Sequence, residues 1–151
     1  MTKPTHTWVL AANAGRAVIM STEPARKHRR WHLVQSFEHP ESREMNAELE
    51  TDRPGRTMQG GTERHAGLEH TSPKETEARR FAHELAAALL EGRRTAQFDQ
   101  LVLTAAPRFL GLLRAELAPQ VLECVTTSVD KDYTHLSPDQ LQDQLAGFVG
   151  V

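Results

Sequence analysis

The run Leu101-Val102-Leu103 constrains this chain most. It is unbroken and apolar, with polar Gln100 before it and Thr104 after it. A strand with one wet face would alternate, so this run suits a central strand covered on both faces. Pro107 follows and opens a helix, because the first helical position needs no backbone donor. That helix is predicted over Phe109 to Leu117, broken before Pro119.

The rest of the chain supplies neighbours for that strand. Thr7 to Ala12 reads as a strand with Trp8 and Leu10 on one face and Val9 and Ala11 on the other. Asn13-Ala14-Gly15 is turn chemistry, with glycine offering positive φ at no steric cost. Ala17 to Met20 completes a hairpin. Trp31 to Phe37 reads as a third antiparallel strand, with Trp31, Leu33 and Phe37 sharing one face and Gln35 the polar exception. Ser72 is a predicted helix N-cap, Pro73 holds the first helical position, and Glu75 completes a capping box. Ala78, Phe81, Ala82, Leu85, Ala88 and Leu89 form one apolar stripe, opposite Glu77, Arg80, Glu84 and Glu91. Gly92 is expected to end the helix. Val121 to Val129 is a predicted fifth strand. Ser137-Pro138-Asp139-Gln140 starts a last helix that carries Leu141 and Leu145 inward. The order βββ, long loop, α, β, α, β, α is that of an α/β fold with a mixed sheet and helices packed on it.

At 151 residues the chain is expected to be one domain. Its 18 basic and 20 acidic residues nearly cancel, which argues against broad electrostatic wrapping of nucleic acid but not against a local basic patch. The first apolar run is too short for a signal peptide, and no run approaches the ~20 residues of a membrane span. A cytoplasmic protein without membrane contact is expected. Cys124 is the only cysteine, which excludes an intramolecular disulfide. Neither Cys124 with His135 nor any glycine-rich motif has a catalytic or nucleotide-binding pattern, and the first strand carries no carboxylate for a two-metal nuclease. The pairs His28/His32 and His65/His70 lack zinc-site spacing on their expected backbone. No cofactor and no metal are expected.

Candidate binding residues fall into three groups. Residues His39 to Thr71 are polar beyond the ~12–15 residues of an ordinary loop. Within them, Pro54-Gly55 makes a tight turn that presents Arg53 and Arg56 to a phosphate or carboxylate, or to an internal acid. Arg26, Lys27, Arg29 and Arg30 form a basic hairpin tip suited to phosphates, with Trp31 beside it either stacking on a base or serving as core. Arg108 sits where a central strand ends and a helix begins, a common binding position in α/β sheets; capping or surface pairing is the alternative. Gly111 is expected to permit close helix–sheet packing. His83 is expected to face solvent.

Several stretches resemble the bacterial host-attachment protein family: TWVLAANAGRAVIM, TDRPGR, RHAGLE, EARRFAHELAAAL, FDQLVLTAAPRFLGLLRAEL and VDKDYTHLSPDQL. Together they run in order over nearly the whole chain. The family domain in turn resembles the central domain of archaeal and eukaryotic class-1 release factors. That resemblance implies an RNase H-like, five-stranded mixed sheet of order 3-2-1-4-5 flanked by helices. It also implies that the long polar loop occupies the place of the release-factor Gly-Gly-Gln loop. Here that loop holds Gln59-Gly60-Gly61, the reverse order, and chain direction decides which amide and side chain meet a substrate. The resemblance implies a non-enzymatic binding protein that engages the ribosome or structured RNA inside the cell. The alternative is a peptidyl-tRNA or related ester hydrolase using Gln59. Edge strands three and five also invite pairing between copies of the chain.

Overall fold

A computed structural model describes residues 6–22, 31–39 and 72–149. Its sheet has five strands: β1 (Thr7–Ala12), β2 (Arg16–Thr22), β3 (His32–Glu38), β4 (Gln100–Ala105) and β5 (Val125–Val129). They lie in the order β3-β2-β1-β4-β5. β2 pairs antiparallel with β1 and with β3, while β4 runs parallel to β1 and to β5. The described helices are α1 (Pro73–Arg94), α2 (Pro107–Glu116), the single turn α3 (Pro119–Leu122) and α4 (Pro138–Leu145), followed by a 3-10 turn over Ala146–Phe148.

β1 and β4 are the covered centre that the apolar run demanded. Every residue of β1 is buried, as are Leu101 to Ala105 of β4. Trp8, Leu10, Leu101 and Leu103 face one cluster, built with Phe81, Leu85 and Leu89 of α1 and Phe109 and Leu113 of α2. Val9, Ala11, Met20 and Val102 face the other, closed by Leu141 and Leu145 of α4. Among the described residues, α1 and α2, with Val121 of the α3 turn, therefore cover one face and α4 the other, the layered arrangement that a doubly buried strand requires.

Both long-range helix starts follow local chemistry. Ser72 Oγ accepts the Glu75 amide at 3.1 Å, but the Glu75 carboxylate turns outward to Arg79 at 3.0 Å, so the expected capping box is only half made. The full box forms at α4, where Ser137 Oγ accepts from the Gln140 amide and Gln140 Oε1 accepts from the Ser137 amide.

The structure corrects five further expectations. α1 does not stop at Gly92 but runs to Arg94 and closes in a Schellman motif: the Gln97 amide donates to Gly92 O and the Ala96 amide to Arg93 O. Ala96 there has φ 59°, the left-handed region that disfavours a Cβ. Ala96→Gly is expected to raise stability by about 0.5–1 kcal/mol, read as a higher denaturation midpoint at unchanged slope. The second correction concerns β3. Trp31 precedes the strand, and a bulge between Ile19 and Met20 pairs Met20 with Leu33 but Ile19 with Gln35, which leaves Val34 as the extra residue. The extra residue rotates Trp31 and Leu33 away from the face of Phe37. Leu33 is 56% exposed, while Phe37 is buried in the α1 cluster.

Third, Val121 belongs to α3, and β5 begins only at Val125, because Pro119 starts a helical turn that Ala118 O caps. Fourth, no glycine among the described residues has positive φ. The Asn13-Ala14-Gly15 turn is held instead by Asn13 Oδ1, which accepts the amides of Gly15 at 2.8 Å and Arg16 at 2.9 Å. Fifth, a Cβ on Gly111 would meet nothing within 4 Å, so that glycine is not required by packing. His83 is exposed as expected and pairs with Glu116 of α2 at 3.1 Å.

Candidate functional site

The carboxyl ends of β1 and β4 define one end of the sheet, and the chain leaves them in opposite directions. β1 turns back into β2, while β4 crosses through α2 and α3 to β5. Such a divergence opens a crevice at the strand ends. The helices add to it because α1 and α2 run side by side in the same sense. Their N-terminal parts meet around Ala78 and Phe109, and farther along His83 reaches Glu116.

A cleft of about 330 Å³ lies there. Ala14, Ala78, Phe109 and Leu112 make an apolar floor, and Ser72, Lys74, Glu75 and Arg108 line the rest. Lys74 and Arg108 are exposed, and neither has an ion pair or side-chain hydrogen bond among the described residues. Glu75, the acid on the lining, is already engaged by Arg79. α2 begins without a side-chain cap, since Ala106 stands at the N-cap position. The cleft thus offers two uncommitted cations beside a floor with no polar side chain. A second hollow of about 370 Å³, lined by Met20, Trp31, Leu33, Ser137, Pro138 and Asp139, is slightly larger but has no cation among its described lining residues. Position at the strand ends and charge favour the first.

A polar clasp braces the same sheet end. Asn13 Nδ2 donates to Asp132 Oδ2 at 2.9 Å and to Thr134 Oγ1 at 3.1 Å. The Thr134 hydroxyl and amide both donate to Asp132 Oδ1, at 2.6 and 2.9 Å. Burial pushes the Asp132 carboxyl up, but the bonds from the Thr134 hydroxyl, the Asn13 amide and the Thr134 backbone together hold it below its ordinary value. The β1–β2 turn is thereby fixed to the connection between β5 and α4. On the other side, His39 Nε2 lies 2.9 Å from Glu77 Oε1, and its ring stacks on Phe81 at 5.2 Å. His39 and Ser72, the described residues nearest to segment 40–71, are both anchored at this end.

Of the residues singled out from sequence, Arg108 is the one that the described structure places, on the rim of the cleft. Arg53, Arg56 and Gln59 lie outside the described residues, as do Arg26, Lys27, Arg29 and Arg30. Trp31 is half-buried against the α4 cluster, and its amide donates to Gln142 Oε1 at 3.0 Å. Lys74, Ala14 and Leu112 were not expected at a site. Lys74 carries a weak signal, a cation in the first turn of a helix where acids are favoured. Cys124 is buried, and its thiol is pushed up by that burial despite the nearby Arg93 guanidinium, which suits an inert side chain. Among the described residues no three His, Cys, Asp or Glu side chains converge as metal ligands, and no helix is long and apolar enough to cross a membrane.

Fold and site together define an α/β protein with a five-stranded mixed sheet and a cationic cleft at its central strand ends. The chain belongs to the family described as "Protein required for attachment to host cells", whose model matches residues 8–145. No curated protein matches it.

Proposed function

We propose that this host-attachment family member is a non-enzymatic binding protein that acts inside the cell on the ribosome or structured RNA. The observation that carries the reading is the placement of Arg108 and Lys74 on one cleft with no acid among the described residues committed to either. Free guanidinium and ammonium groups at a strand-end crevice suit phosphate oxygens. Two features support RNA in particular. The strand order 3-2-1-4-5 is the one that the release-factor resemblance implies. The segment bearing Arg53 and Arg56 is flanked by His39 and Ser72, both held at this sheet end. A net charge of −2 requires any such contact to be local rather than spread over the surface.

Co-sedimentation with ribosomes tests this. Association is expected at about 50 mM salt, with loss of most of it by about 200 mM, because displaced counterions drive phosphate binding. The double variant Lys74→Ala, Arg108→Ala is expected to stay in the supernatant. Absence of wild-type association at low salt would sink the reading.

A further inference from the structure

The second hollow and the exposed Leu33 and Val34 of β3 have nothing in the structure to say what covers them. The cleft carries an inference further, because phosphate binding uses only its two cations. Ala14, Ala78, Phe109 and Leu112 line the same space with carbon. Ala78 and Phe109 are buried, while Ala14 and Leu112 are half-buried. Ala14 and Leu112 therefore hold most of the carbon that a ligand can still take out of water, and covering such surface is favourable.

The polar lining sets the head of such a ligand. Lys74 and Arg108 each bring one positive charge and Glu75 one negative charge, so the described lining carries a net +1. That balances a single anionic group. Glu75 does not neutralise the two cations itself, because its carboxylate accepts from Arg79 at 3.0 Å; it does repel a second negative charge. Ser72 Oγ accepts the Glu75 amide at 3.1 Å, which leaves its hydroxyl proton to donate. A guanidinium fork, an ammonium and one hydroxyl donor suit the two coplanar oxygens of a carboxylate. At about 330 Å³ the cleft is at the small end of the ~300–1,000 Å³ of small-molecule sites, where apolar walls with a few polar groups are the rule.

We infer that the cleft binds a small amphipathic monocarboxylate: Arg108, Lys74 and Ser72 hold the carboxylate, and a short hydrocarbon body covers Ala14 and Leu112 above Ala78 and Phe109. This goes beyond the RNA-binding reading and does not depend on it. The two ligands call on the same pair of cations, so the carboxylate competes with RNA for the cleft. The experiment therefore has two arms.

In the first arm, butanoate, pentanoate, hexanoate and hexanedioate are titrated into the full chain by NMR at fixed ionic strength. Hexanoate is expected to shift the amides of Ala14, Lys74, Arg108 and Leu112. Affinity is expected to rise about fourfold for each methylene from butanoate to hexanoate, because each one leaves water for carbon. Hexanedioate is expected to bind roughly tenfold more weakly than hexanoate, since its second carboxylate meets carbon and Glu75. Arg108→Gln and Lys74→Gln are each expected to weaken the whole series about tenfold, the effect of losing one charge-assisted contact. Leu112→Ser is expected to flatten the dependence on chain length. The series on the wild-type chain decides the matter even where that variant fails to fold. Equal affinities along the series, or hexanedioate binding as tightly as hexanoate, would overturn the inference.

In the second arm, hexanoate is added to the chain bound to oligo(U) at low salt, where phosphate contacts are strongest. Displacement of the RNA is expected. Hexanoate that binds without displacing RNA would keep the carboxylate pocket and remove the cleft as the RNA contact. RNA binding with no hexanoate binding would overturn the pocket and leave the RNA reading intact.

Discussion

Gly92→Ala is expected to destabilise the protein by about 1–3 kcal/mol, a fall of roughly 3–12 °C in melting temperature. The cause is a single close approach. A Cβ at residue 92 would stand 2.5 Å from Cη2 and 2.6 Å from Cζ3 of Trp8, and 3.2 Å from Phe98. The Trp8 ring lies directly on the α1 backbone, packed at a 33° tilt against the Phe98 ring, with centroids 4.7 Å apart. An indole fixed on one side by a strand and on the other by a second ring cannot swing away as the end of a flexible chain would. The usual ranking of alanine above glycine within a helix, about 1 kcal/mol, is thus reversed here. A double-mutant cycle separates contact from propensity. In a Trp8→Leu background, itself destabilised by lost packing, Gly92→Ala is expected to be neutral or stabilising. Additive costs in that cycle would show that the ring does not set the requirement for glycine.

The second large effect is expected at the clasp behind the β1–β2 turn. Asn13 uses its carbonyl oxygen for two turn amides and its amide for Asp132 and Thr134, so all its capacity is committed. Asn13→Ala leaves the half-buried Asp132 Oδ2 without this donor and frees the turn, at a cost of about 1–3 kcal/mol. Asn13→Asp keeps the acceptor but sets a carboxylate against that of Asp132. A similar loss is expected at pH 7, and it should shrink as the pH falls, because the facing pair takes up a shared proton at a higher pH than either group does when unfolded. For the native clasp the sign is opposite. The Asp132 carboxyl is held below its ordinary value of 3.8, so its contribution is full above that pH and is lost as the pH drops through the folded value. Equilibrium denaturation of wild type and Asn13→Asp between pH 3 and 7 checks both slopes. Parallel curves would refute the assignment.

Several features were legible because their physics is local. The N-caps Ser72 and Ser137, the prolines after them, the alternation Trp8/Leu10 against Val9/Ala11, and the unbroken Leu101-Val102-Leu103 each report on a few successive residues. Arg108 was legible as a candidate for a related reason: a strand that ends into a helix places it at a sheet end. Lys74 was not, since its companion on the cleft lies 34 positions along the chain and only the parallel run of α1 and α2 brings the two together. The family could be recognised from matching stretches alone.

What the sequence by itself determined, then, was the five strands and three main helices, their order and the doubly covered centre of the sheet, because capping, periodicity and burial pattern are written in neighbouring residues. Only the tertiary structure decided which face Leu33 turns to, why residue 92 must lack a side chain, and where two cations share an apolar floor. Each of these depends on a partner distant in the chain: the bulge against β2, the Trp8 ring, the neighbouring helix. A contact between remote residues leaves no periodic trace in either segment, so it exists only once the chain has folded.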